Sequence, residues 1–343
     1  MTYNFRPAKS FTEQHGVFVG VVGDTNSGKS WSSMRLAQGI AASQGKRVAA
    51  LDTEGGRLLH LKEHFDFDIM IMGPPHRPDR YLQAAQHAEA QGYGALQIDS
   101  FSQVWRGIGG VLDWTDTNLS AAIERRRATA EEKGWRFDET RERTKLKSSA
   151  SIEPQMSHAM MVNGFLGLRI PIIFAIRGGM TFDPDTKAER FKAQCKPTFP
   201  FELTVSFRLA ADRKGYIDLS DPASWKMEGA HQAIFRDGDR LSEEHGAKLA
   251  AWARGAAMEP PVADDPAAKW VQTVIATLDA SQSAADYSVL VEKTRGNRDR
   301  LKENRPDLSA EVESAFAAAH TRLIPPAGFM PAQAGGDEIG EAA

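Results

Sequence analysis

The eight residues Gly23-Asp24-Thr25-Asn26-Ser27-Gly28-Lys29-Ser30 carry the densest chemistry in this sequence. They fit the pattern G-x-x-x-x-G-K-[ST] without a departure. Glycines at both ends let backbone N–H groups turn inward around a β-phosphate, and a helix N-terminus behind them adds partial positive charge. Lys29 would reach β- and γ-phosphate oxygens, and the Ser30 hydroxyl would hold Mg²⁺. Gly23 to Trp31 is therefore the expected binding segment for a nucleoside triphosphate, taken as ATP, although nothing in these residues excludes GTP.

Three carboxylates stand where they could act on such a ligand. Asp99 closes the apolar run Ala95-Leu96-Gln97-Ile98 and suits a metal-holding role beside Ser30. Glu54 closes Val48-Ala49-Ala50-Leu51-Asp52-Thr53, where it could take a proton from a water attacking the γ-phosphate. Asp52 points to the same side as Glu54, since strand side chains alternate. It could orient the base, assist the metal, or hold the turn at Gly55-Gly56. Arg177 ends the run Ile170–Ile176. It could sense the γ-phosphate and stabilise its developing charge, or bond a neighbouring carboxylate.

These groups need strands to carry them. Val17–Val22 is apolar and β-branched, as a strand buried on both faces should be. Trp31–Ser43 reads as a helix with Met34, Ala37, Ile40 and Ala41 on one face. Strands follow at 47–54, 67–72 and 95–100, with a helix from Pro78 to about Gln91 between the last two. The alternation predicts an α/β fold with a mostly parallel sheet covered on both sides. Ligands in such sheets sit at the carboxyl ends of the strands, where Ser30, Glu54 and Asp99 all fall.

The phosphate loop, followed by Leu51-Asp52-Thr53-Glu54 and then Gln97-Ile98-Asp99-Ser100, resembles the RecA-type ATPase core. In that family the strand after the loop's helix ends in the catalytic glutamate, matched by Glu54, and the metal-holding strand ends in Asp-Ser, matched by Asp99-Ser100. Ile98–Ser102 with Trp105, and Gly109–Trp114, resemble RecA-like ATPases of bacteriophages, some of which act in recombination beside, or as, single-strand annealing proteins. The resemblance covers residues 16 to about 255, including Ile170–Arg177 and Phe201–Val205. It implies a Mg²⁺-dependent ATPase core over 1–258, a homo-oligomer, and a role in DNA recombination or repair.

Residues 115–158 depart from a compact core as a charged helical insertion. Between Glu124 and Lys147 nine basic residues face six acids, with Trp135 and Phe137 interleaved. Arg125, Arg126, Arg127, Arg136, Arg141, Arg143, Lys145 and Lys147 could hold single-stranded DNA by charge, with the aromatics stacking on bases. They could equally form a solvated arm laced by i,i+4 ion pairs. Lys187, Arg190, Lys192 and Lys196 follow a turn at Asp183-Pro184-Asp185-Thr186. That basic hairpin is a soluble surface feature, or in an oligomer a finger for the neighbour's ATP. Strands at Leu203–Ala210 and Gly215–Leu219 would complete the sheet.

The composition changes past Leu241. Glu243–Arg254 reads as a helix, 259–265 as a linker, 266–323 as a small bundle of three helices, and 324–343 as a disordered tail. The resemblance to phage recombination proteins, some of which carry similar helical tails, implies that the bundle docks a recombination or replication partner; a passive appendage is the alternative. A net charge of −3 excludes a polybasic coat. The single cysteine, Cys195, excludes an intrachain disulfide and points to a reducing, cytoplasmic setting. No apolar run approaches the ~20 residues that span a bilayer. The nine histidines read as surface or locally bonded residues, and Mg²⁺ is the one metal expected. Two other functions stay open: an adaptor that binds ATP, scarcely hydrolyses it and recruits a partner, and a small-molecule kinase, which Glu54 and the lack of an arginine-rich lid disfavour.

Overall fold

The computed structural model describes residues 16–183, 187–256 and 266–324. The expected lead-in at 1–14, the 259–265 linker, the turn residues 184–186 and the tail beyond Ile324 lie outside them. The chain divides into two compact units, residues 1–261 and 262–343.

The first unit is built on an α/β sheet. Its strands are β1 (Phe18–Gly23), β2 (Val48–Asp52), β3 (Phe67–Ile71), β4 (Ala95–Asp99), β5 (Ile172–Asp183), β6 (Ala188–Ala193), β7 (Val205–Leu209) and β8 (Ile217–Asp218). The spatial order is β3-β2-β4-β5-β1-β7-β8, with β6 paired to β5 alone. Pairing is parallel from β3 through β7, and antiparallel for β7–β8 and β5–β6. All six residues of β1 are buried, because neighbours flank it on both edges and helices cover both faces. β3 is an edge strand, and its outer residues Met70 and Ile71 are exposed.

The helices are α1 (Lys29–Ala42), α2 (Pro78–Ala90), α3 (Ser102–Arg106), α4 (Val111–Glu132), α5 (Glu139–Leu166), α6 (Gly229–Ile234) and α7 (Glu243–Ala253). One core layer joins Leu51, Tyr81, Ile98, Phe101, Phe165 and Phe174 on one side of the sheet; the other joins Val19, Met34, Ile40, Val205, Phe207 and Leu249. Burying each such large side chain contributes roughly 1.5–3 kcal/mol. The backbones of α1 and α7 meet at Gly39 and Gly246, where a Cβ on Gly39 would lie 2.6 Å from the Glu243 carbonyl carbon. Helix α1 begins at Lys29, two residues earlier than its apolar pattern indicates, because the phosphate loop runs directly into its first turn.

Two elements differ from expectation in extent. Strand β5 passes Arg177 and continues to Asp183, since its outer half pairs with β6 as a hairpin arm. The charged insertion is an antiparallel helical hairpin of α4 and α5, wider than 115–158 at both ends. Its own core is small: Leu119, Ile123 and Ala150, with Phe137 and Leu146 packed against them.

The second unit holds α8 (Pro266–Ala280), α9 (Ala284–Asn304) and α10 (Pro306–Leu323) around Val271, Val274, Leu278, Leu301, Val312 and Phe316. Arg298 on α9 clamps Glu313 on α10 and lies 4.1 Å from the Phe316 ring centroid.

Candidate nucleotide site

Four strands deliver the candidate residues to one end of the sheet. β1 leads into the phosphate loop, β2 into Glu54, β4 ends on Asp99, and β5 carries Arg177. Residues from all four line a single cleft of about 910 Å³.

The loop is tightly formed. Gly28 caps α1 at φ +84°, a left-handed conformation that favours glycine, and Asn26 is also left-handed at +67°. The Ser27 side chain fills the space a Cβ on Gly23 would need. Ser27 N–H donates to the Asp24 carbonyl at 3.2 Å, and Gly215 N–H donates to the Ser27 carbonyl at 2.9 Å. The loop before β8 thus backs the phosphate cradle. Lys29 Nζ donates to the Asp24 carbonyl at 2.6 Å. Burial pulls the Lys29 ammonium below its ordinary pKa, and Asp99 and Asp24 counteract this.

Asp99 is buried, 7 % exposed. Its burial pushes the carboxyl up to about 6, opposed by a hydrogen bond from Ser30 and by the Lys29 charge. Asp99 Oδ2 accepts no hydrogen bond among the described residues. A buried, unsatisfied carboxylate oxygen beside a serine hydroxyl is part of the donor set of a hard cation completed by phosphate oxygens and water. The residues therefore fit Mg²⁺, with Ser30 and Asp99 as the protein groups that would hold it. Gln97, one turn of the pleat earlier, donates its Nε2 to the Ser30 carbonyl at 3.1 Å and fixes the start of α1.

Glu54 lies between two guanidiniums. Arg177 Nη2 pairs with Oε1, and Arg57 Nη1 donates to Oε2 at 3.0 Å. The Glu54 side chain is 14 % exposed, so it is sheltered without being sealed from water. Of the two roles the sequence left open for Arg177, the structure shows the bond to a neighbouring carboxylate, made by a side chain that also lines the cleft. The backbone N–H of Arg177 donates to Ser102 Oγ at 2.9 Å, which fixes where β5 leaves the sheet. Asp52 faces the same cleft, but its carboxylate accepts three backbone N–H groups of the Glu54–Leu58 loop. Of its three open roles, holding the turn is the one the hydrogen bonds describe.

Sequence reasoning missed Arg57, Gln194, Lys214 and Arg240, which also line the cleft. Lys214 was legible only as part of a turn, Asp212-Arg213-Lys214-Gly215, with no sign that this turn lies against the phosphate loop. Trp31 lines the cleft, its ring held by His64 and Phe65 at centroid distances of 4.9 and 4.8 Å. His60 and His64 stand four apart, a spacing that can serve a metal, and the histidine reading above passed over it. The two rings are engaged elsewhere: His64 against Trp31, and His60 Nδ1 with the Arg57 carbonyl. Among the described residues no group of three or more His, Cys, Asp or Glu could hold a metal.

The nucleic-acid candidates lie on the α4–α5 hairpin, apart from the cleft lining. Arg127 bridges Glu124 and Glu139 and covers the Phe137 ring, while Arg143 pairs with Glu139 and Lys145 with Glu142. Arg125, Arg126, Arg136, Arg141 and Lys147 are exposed. Trp135 is 62 % exposed beneath the Lys133 ammonium. Phe137 is packed in the hairpin core, so of the two aromatics proposed to stack on bases only Trp135 offers a free face.

Fold and site together define an α/β protein with a mostly parallel sheet, a G-x-x-x-x-G-K-[ST] loop between β1 and α1, and a helical C-terminal region. No described family profile matches the chain, and no curated protein does. Among solved structures it is similar to a KaiC-like protein, PH0186, from the hyperthermophilic archaeon Pyrococcus horikoshii OT3. The identity is 15 %, over 57 % of this chain and 71 % of that one, with a TM-score of 0.29, and a likeness this slight carries no inference about activity. No helix among the described residues is long and apolar enough to cross a membrane.

Proposed function

We propose that this chain is a Mg²⁺-dependent ATPase. The observation that carries the reading is the convergence of Lys29, Ser30, Asp99 and Glu54 on one cleft at the carboxyl ends of β1, β2 and β4. The loop N–H groups and Lys29 would bind the β- and γ-phosphates. Ser30 and Asp99 would hold Mg²⁺, which would supply neutralisation of phosphate charge. Glu54 orients a water and takes its proton as the water oxygen attacks the γ-phosphorus; the bond to the bridging oxygen breaks, and ADP and phosphate leave. Arg177 stands where it can follow the γ-phosphate as charge develops. Phosphate release from ATP with Mg²⁺, in wild type and Lys29→Ala, tests this. Release that the substitution abolishes is expected; no release from the wild type would refute it.

A second reading, the nucleotide-gated adaptor, draws support from the pairing of Glu54 with both Arg57 and Arg177. A carboxylate engaged on both oxygens is a poor base until one arginine leaves, so ATP could bind long before it is cleaved. Glu54→Gln separates the two, since an enzyme loses turnover and an adaptor keeps its partner.

A further role in recombination, and a partner docked on the C-terminal helices, rest on the resemblance drawn from the sequence; single-stranded DNA held along α4–α5 draws on the exposed arginines of that hairpin and on Trp135. It extends the ATPase reading and stands or falls on DNA binding measured directly. A homo-oligomer in which the β5–β6 hairpin reaches a neighbour's nucleotide is part of the same proposal. Sedimentation with and without ATP tests it.

A further inference from the structure

Asp52 is fully buried and lines the cleft with Glu54 and with Asp99, its register partner on β4, yet both of its oxygens are bound to backbone. Oδ1 accepts from Glu54 N–H at 2.7 Å and Gly56 N–H at 3.2 Å, and Oδ2 accepts from Leu58 N–H at 2.7 Å. The chain makes this possible by turning left-handed at Gly55 and Gly56, with φ of +72° and +88°, which brings alternate amides round to one carboxylate. Thr53 anchors the other side. Its N–H donates to the Asp99 carbonyl at 2.8 Å, its hydroxyl donates to the Ser100 carbonyl at 2.9 Å, and it accepts from Ser100 N–H at 2.9 Å. Glu54 is therefore suspended between two fixed points, one on the metal-side strand and one on Asp52.

We infer that Asp52 is a positioning residue for hydrolysis: its carboxylate sets the Glu54–Leu58 loop, and with it the Glu54 carboxylate and Arg57, against the γ-phosphate. This role rests on the ATPase reading. It needs a carboxylate, because three donors converge on it from two directions. An asparagine has one acceptor oxygen and would turn its NH₂ toward an amide N–H, leaving one buried donor unmet. The phosphate loop lies on a different strand and makes no use of Asp52. Loss of the anchor should therefore slow the chemical step and leave nucleotide affinity alone.

The test is Asp52→Asn in the full chain. Steady-state phosphate release should show kcat down by about 100-fold with KM for ATP within about twofold, the split expected of a misplaced base rather than a damaged binding site. Amide hydrogen exchange at Glu54, Gly56 and Leu58 should be slow in the wild type and accelerate in the variant, while exchange in β1 and β4 is unchanged. A variant that turns over like an active wild type overturns the inference, as does unchanged protection of the three amides. If the variant does not fold, the wild type still decides: rapid exchange at Leu58 N–H in the native protein means the anchor is absent. A wild type that releases no phosphate is a separate outcome, which refutes the hydrolytic reading and this role with it.

Discussion

Arg177 and Glu54, separated in the sequence by more than a hundred residues, form an ion pair in the lining of the cleft. Strands β2 and β5 are not neighbours; β4, which ends on Asp99, lies between them. The arginine side chain is 42 % exposed and the glutamate 14 %, so the pair is partly screened and worth little as a stabilising contact. Its consequence is for chemistry. On the proposed ATPase reading, a carboxylate held by an arginine is the weaker base for it, and a bound γ-phosphate would be the anion that competes for that arginine.

Two substitutions separate the roles in that pair. Glu54→Gln should lower kcat for ATP hydrolysis by about 10²–10⁴-fold with nucleotide affinity kept, as loss of a general base does. Arg177→Ala should lower kcat by at least about tenfold through lost charge stabilisation, even though it frees Glu54. Steady-state phosphate release, with nucleotide binding measured separately, checks both. An Arg177→Ala protein faster than wild type would mean that the arginine restrains the base and does nothing for the transition state.

Much of this site was legible because its groups lie in short local patterns. The phosphate loop is contiguous, Glu54 and Asp99 each close an apolar strand, and parallel alternation brings all three to one edge. Arg57, Lys214 and Arg240 were not legible as cleft residues, because their placement depends on loops folding back. Gly215 meeting the Ser27 carbonyl is a contact between segments nearly two hundred residues apart, with no local signature. The α4–α5 hairpin was read as helical and charged from its composition. Which of its residues pair and which stay free depends on how two helices register, and periodicity alone does not give that.

The hairpin yields a second prediction. Arg127, Arg143 and Lys145 are engaged by Glu124, Glu139 and Glu142, so Arg125, Arg126, Arg136, Arg141 and Lys147 are the exposed candidates left to meet phosphates. If α4–α5 binds single-stranded DNA, Trp135→Ala should weaken it by about 1–3 kcal/mol through lost base stacking. Phe137→Ala should instead loosen the hairpin core. Charge reversal at Arg125 and Arg126 should weaken binding and flatten its salt dependence. Fluorescence anisotropy with a labelled oligonucleotide at two salt concentrations reads all three effects. Wild-type protein that leaves the oligonucleotide free at low salt would remove the DNA role.

The last prediction concerns acid stability, and it comes from a histidine outside the cleft. His158 on α5 is 2 % exposed, packed edge-on against Trp105 and Phe199, and its Nε2 accepts no hydrogen bond among the described residues. Burial, aided by the Lys196 charge, pushes its pKa down from 6.5 to about 4. The folded pKa lies below the unfolded one, so the native state favours the neutral ring. Its contribution is complete above about pH 6.5 and is lost as pH falls toward 4, where the unfolded chain takes a proton that the native protein refuses. A gap of that size corresponds to roughly 3 kcal/mol. Urea unfolding at pH 7.5 and at pH 4.5 should show the wild type losing about that much more stability than His158→Phe, whose ring fills the same aromatic niche and does not titrate. Carboxylates common to both proteins cancel in the difference. Equal losses would place the His158 pKa near its ordinary value and argue that water reaches the ring between Trp105 and Phe199.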